Sequence, residues 1–86
     1  MAEDEQMQKA MDAIWDFLKK EQIVDSSAPL NETLKFSVLD HGNLDEPFLS
    51  AMAYELNGTE ATTINLVGDE FTLDMTIRDA AKVMCE

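Results

Sequence analysis

The sequence predicts a small all-α bundle with a long first loop, and three observations carry that expectation. Apolar residues recur at helical spacing from about residue 4 to 22. A second stretch of strong helix formers, 44–58, lies between a capping aspartate and an Asn-Gly pair. A Thr-Ile-Arg-Asp start then opens a third apolar stripe near the C-terminus. At 86 residues and 9.6 kDa, residues 1–86 read as a single domain, too short for separate binding and catalytic units. A chain of this size buries only about 60–65% of its unfolded surface, which keeps the core thin.

In the first helix Met7, Met11, Ile14 and Leu18 fall at spacings of four, three and four, and Ala10, Trp15 and Phe17 widen the stripe. Asp12, Asp16, Lys19 and Glu21 take the other face. Acidic residues lead and Lys19-Lys20 close, which complements the helix macrodipole. Asp25-Ser-Ser-Ala-Pro29 breaks the helix, because proline cannot continue one. Residues 30–43 form a long connection whose Leu30, Leu34, Phe36 and Leu39 must fold back on the core, with Gly42-Asn43 as a turn.

Two stretches admit a second reading. Over 44–58, a helix would use Asp45 as its cap, Pro47 in its first turn and Leu49, Met52, Ala53 and Leu56 as its buried stripe, with Asn57-Gly58 closing it. A strand would alternate Phe48, Ser50, Met52, Tyr54 and Leu56 and use Asn57-Gly58 as a hairpin turn. Helix-forming residues without a β-branched member favour the helix. Over 59–75, Thr62-Thr-Ile-Asn-Leu-Val and Glu70-Phe-Thr-Leu-Asp-Met about Gly68-Asp69 fit either a hairpin or an extended loop ending in one short helical turn. Taking both stretches as strands gives the rival fold, an α+β domain of helix, antiparallel β-meander and helix. The final segment is less ambiguous: Thr76 and Asp79 form a capping-box pattern, and Ile77, Ala80, Ala81 and Met84 share one face.

Charge narrows the functional classes. Eighteen acidic against six basic residues give −12, which opposes direct nucleic-acid binding, since phosphate contact needs a Lys/Arg footprint. An anionic membrane surface is opposed for the same reason. The natural partner is a basic protein surface, and strong self-repulsion favours a monomer. The acidic N-terminus lacks a signal peptide's basic region, and no apolar run approaches the ~18 residues of a spanning helix, so a cytoplasmic location is expected.

Little in the sequence points to catalysis. His41 is the only histidine and reads as a solvent-exposed turn residue; no nucleophile elbow accompanies it. Cys85 is the only cysteine and reads as a surface thiol at a frayed end. Asp40, Asn43 and Asp45 lie close in sequence but lack the spacing of a calcium loop, and no metal site is expected. Six methionines read as adaptable core filler. A non-enzymatic protein is expected.

Ile64-Asn-Leu-Val-Gly-Asp-Glu-Phe-Thr-Leu-Asp-Met-Thr-Ile-Arg-Asp-Ala-Ala-Lys-Val-Met84 resembles the C-terminal third of an acyl carrier protein. In that family an acidic short third helix leads to a final helix opened by Thr-Ile/Val-x-Asp. Ala28-Pro-Leu-Asn-Glu-Thr-Leu34 is similar to the loop after the first carrier helix. The resemblance implies a helical bundle whose second helix begins at a serine bearing phosphopantetheine. The matching segment, Leu39-Asp-His-Gly-Asn-Leu-Asp45, puts Asn43 at the serine's position, and an amide cannot carry the arm's phosphodiester. Ser50 and Ser37 are the attachment positions under other alignments. The resemblance also implies docking of acidic side chains on and before the second helix against Lys/Arg patches of partner enzymes, here Asp40, Asp45, Glu46 and Glu55. On the rival α+β fold, the same charge would suit an acidic inhibitor or DNA mimic that occupies a partner's nucleic-acid groove.

Overall fold

A computed structural model describes residues 2–85. Its elements are α1 (Ala2–Lys20), a 3-10 segment (Phe36–Gly42), α2 (Glu46–Leu56) and α3 (Ile77–Met84). Among the described residues the only β pairing is an isolated antiparallel bridge between Lys35 and Thr76. The fold is all-α, and the rival meander is not formed.

The predicted α1 stripe is the buried one: Ala10, Met11, Ile14, Trp15, Phe17 and Leu18 are all enclosed, and Met7 packs at the margin. The helix stops at Lys20, short of the expected residue 22, because a Schellman motif closes it. Ile23 N donates to Leu18 O (2.8 Å) and Gln22 N to Lys19 O (3.0 Å), with Gln22 left-handed at φ +62°. Trp15 Nε1 donates to Ala28 O (3.0 Å) and ties the following loop to the helix.

Residues 32–37 then run antiparallel beside 73–78. Phe36 N donates to Met75 O, Ser37 N to Leu73 O, Ile77 N to Leu34 O and Arg78 N to Glu32 O, at 2.9–3.0 Å. These bonds seat Phe36 and Leu39 in the core, as expected of that connection, while Leu30 and Leu34 pack at its edge.

Several predicted signals set α2. The Asp45 carboxylate accepts from Phe48 N (3.1 Å), Pro47 lies in the first turn, and Leu49, Met52, Ala53 and Leu56 are buried. Leu44 and Leu49, both buried, hold the two positions of a hydrophobic staple. At the other end Gly58, not Asn57, is left-handed; Asn57 is extended and its Oδ1 accepts from Leu66 N (3.0 Å).

The stretch 57–76 forms no hairpin. It is the extended loop of the second reading, ending in a single turn closed by Met75 N to Thr72 O (3.2 Å) that does not lengthen into the short third helix the resemblance implies. Side chains capture the backbone that either would need. Asn57 takes Leu66 N–H, Thr62 Oγ1 accepts from Ile64 N (3.3 Å), and Glu70 takes the N–H groups of Val67 and Gly68. The loop is nevertheless packed, burying Ala61, Leu66 and Phe71, with Phe71 tilted against Phe36 at 6.5 Å between ring centres. The capping box of α3 closes in both directions, Asp79 N to Thr76 Oγ1 (3.1 Å) and Thr76 N to Asp79 Oδ2 (3.2 Å). Its stripe of Ile77, Ala80, Ala81 and Met84 is fully buried and packs on α1, which also meets α2. Cys85 is not a frayed surface thiol: it caps α3, is half-buried against the core, and burial pushes its thiol pKa up.

Candidate functional site

Between residues 36 and 77 there is no lysine or arginine, while eight acidic residues fall there. Asp40, Asp45, Glu46, Glu55, Glu60, Asp69 and Asp74 are exposed and Glu70 is half-buried. This segment contains α2, the turn that precedes it and the loop that follows it. All three large hydrophobic side chains exposed among the described residues, Val38, Tyr54 and Val67, belong to it as well.

Of the four anticipated docking acids, the structure groups three by element. Asp45 is the N-cap of α2, Glu46 is its first residue, and Asp40 lies in the turn just before it. That turn is strained: Asp40 (φ +53°), His41 (+55°) and Gly42 (+82°) are successively left-handed, and Asn43 N donates to Asp40 O (2.9 Å). Glycine adopts this backbone without strain, whereas each of the other two costs about 1–2 kcal/mol. His41 is exposed there, as a turn residue was expected to be. Glu55 stands apart, in the last turn of α2 and about 15 Å along the helix from Asp45 at 1.5 Å per residue. It pairs with Lys20 of α1 (3.1 Å), with both side chains more than half exposed. Such a pair contributes little to stability and leaves Glu55 open to exchange.

Asn43 is exposed two residues before the cap of α2. Ser50 is half-buried inside α2, and its Oγ donates to Gly68 O (2.6 Å), which clamps the 66–70 loop onto the helix. Ser37 is half-buried in the 3-10 segment, with its backbone N–H held by Leu73 O. Neither serine stands at the start of α2, where the likeness calls for the attachment residue. Among the described residues, no three His, Cys, Asp or Glu side chains converge as a metal site would require.

Around Gly68 the sequence had given less warning. Glu70 folds back on its own loop: Oε2 accepts from Val67 N (2.7 Å) and Oε1 from Gly68 N (2.9 Å). Burial acts to raise the Glu70 pKa, but these and neighbouring backbone N–H groups outweigh it and hold the carboxyl below its ordinary value. Gly68 is buried at φ +113° under the Tyr54 ring, where a Cβ would lie 3.2 Å from Tyr54 Cζ and Oη. The helical wheel of α2 does place Tyr54 off the stripe of 49, 52, 53 and 56; what sequence could not supply is the loop beside it.

The site is thus an acidic segment without Lys or Arg of its own, built on one capped helix that Lys20 of α1 reaches at Glu55, with the exposed Tyr54 ring where loop 66–70 crosses the helix. No family model matches the chain, and no curated protein and no solved structure matches it either.

Proposed function

We propose that this is an acyl-carrier-like acidic domain, non-enzymatic and monomeric, that docks through α2 and its flanking turn onto basic surfaces of partner enzymes in the cytoplasm. The observation that carries this reading is the absence of Lys and Arg from residues 36–77, while Asp40, Asp45 and Glu46 project around the start of α2. A field dominated by one sign speeds encounter and orients the partner, and its effect weakens as salt screens it. The order of a long helix, a long loop, an Asp-capped helix and a Thr-capped final helix supports the carrier likeness.

In this reading the domain docks without carrying an arm of its own. Asn43 offers an amide where the likeness calls for a hydroxyl, and the Ser50 hydroxyl is spent on Gly68. Incubation with coenzyme A and a broad-specificity phosphopantetheinyl transferase is expected to leave the intact mass unchanged. A gain of one phosphopantetheine would reverse this part of the proposal, and peptide mapping would assign it to Ser50 or Ser37. The DNA-mimic reading rested on the β-meander, and no second observation among the described residues favours it.

A further inference from the structure

We infer that Tyr54, its ring seated on Gly68, is the anchor of the docking face and receives an arginine from the basic partner. This inference rests on the docking reading above and adds to it the point of contact and the partner's chemistry.

Tyr54 is 65% exposed and Val67 57% exposed, whereas among the described residues the other large apolar side chains, Val38 apart, are buried or half-buried. Isolated apolar residues on a surface need no explanation, but the Tyr54 ring sits on a fixed support. The Tyr54 ring lies over Gly68, the neighbour of Val67, and the backbone beneath is held from two sides. Ser50 Oγ binds Gly68 O, while the Glu70 carboxylate binds the N–H groups of Val67 and Gly68. The anchor is therefore preorganised, and little ordering entropy is lost when a partner arrives.

Charge decides what fits it. Glu55 follows Tyr54 in the chain and Asp69 follows Gly68, and residues 36–77 hold no Lys or Arg. A cation does reach this end of α2, Lys20 of α1, but its pair with Glu55 (3.1 Å) is exposed and open to exchange with an incoming guanidinium. An exposed aromatic ring in a strongly acidic segment suits a guanidinium, which can stack on the ring and hydrogen-bond outward to an acid. A lysine ammonium would satisfy the charge but stacks less well and cannot form the planar fork. A neutral apolar partner would have to desolvate the flanking carboxylates without pairing them.

The test uses the full chain, 15N-labelled, titrated with two peptides of equal length and charge, one arginine-based and one with every arginine replaced by lysine. The arginine peptide is expected to shift the amides of Tyr54, Val67 and Gly68 and to bind about two- to fivefold tighter than the lysine peptide, the difference an exposed cation–π contact supplies. Tyr54→Ser, a change at an exposed position, is expected to remove that preference while leaving the remaining spectrum in place. Equal binding of the two peptides, with shifts confined to Asp40, Asp45 and Glu46, would overturn the anchor and leave the docking reading standing. Absence of binding by both would overturn the two together. Shifts of Tyr54 and Val67 on concentrating the protein alone would identify a second copy as the occupant and also overturn the anchor.

Discussion

Glu70 shows how one side chain can decide the path of a loop. Its carboxylate accepts the N–H groups of Val67 and Gly68, and these bonds favour the charged form against the cost of burial. Because the folded-state pKa lies below the unfolded one, the stabilisation is fully present above the unfolded value, near 4.3, and is lost as pH falls through the folded value. Glu70→Gln is accordingly expected to be less stable than the parent in urea at neutral pH. The two should converge in acid, where the parent carboxyl is protonated too. A difference that stays constant with pH would show that the charge is not the relevant property. Sequence could mark Asp69-Glu70 as an acidic pair, but not that Glu70 turns inward while Asp69 faces water, since that depends on where Gly68 is pinned. Gln22 is a similar case: its left-handed conformation follows from the Leu18 and Ile23 closure, and glutamine gives no hint of it.

At the scale of elements, the parts that were legible are those specified by short-range chemistry. Asp45 and Pro47 fix the start of α2, and Thr76 with Asp79 fixes the start of α3; each signal acts over three residues and needs no tertiary context. The periodic stripes then chose the buried faces of all three helices. The stretch 57–76 was not legible because its competition is settled by side chains meeting distant backbone, by Asn57 at the cap of α2, by Ser50 within α2 and by the end of α3. There Met84 O accepts from Thr63 N (2.8 Å) and from the hydroxyls of Thr62 (3.0 Å) and Thr63 (3.3 Å). A helix of eight residues has little stability of its own and depends on such ends. Thr76→Ala is expected to cost about 1 kcal/mol, measured by chemical denaturation, with faster amide exchange over 77–80. A loss within error of zero would mean that burial of Ile77 and Met84 alone holds α3.

Across the molecule as a whole, charge is sorted by chain position. Four of the six basic residues lie in or before the first loop and two in α3, so residues 36–77 carry acidic charge alone, and Lys20 of α1 reaches them at Glu55. The core meanwhile draws on every segment, including loop residues Leu66 and Phe71, and the chain reaches a radius of gyration of 11.7 Å, close to the roughly 12 Å of a compact domain of this length. Composition alone announced the acidity, but not its concentration around α2, because that required the middle segment to form a helix and a packed loop in place of a meander. Among the anticipated docking acids, Asp40, Asp45 and Glu46 belong together and Glu55 lies at the far end of the helix, beside the Tyr54 anchor.

Whether position or only total charge governs docking can be measured by calorimetry with a basic peptide and two variants of equal net charge. Asp45→Ser with Glu46→Gln removes two charges from the face and keeps a hydroxyl cap on α2. Glu5→Gln with Asp12→Asn removes two charges from the exposed side of α1. A docking face on α2 predicts that the first pair weakens binding severalfold at low salt while the second leaves it near the parent value. Equal affinities in the two variants would contradict it and reduce the acidic segment to a solvated surface.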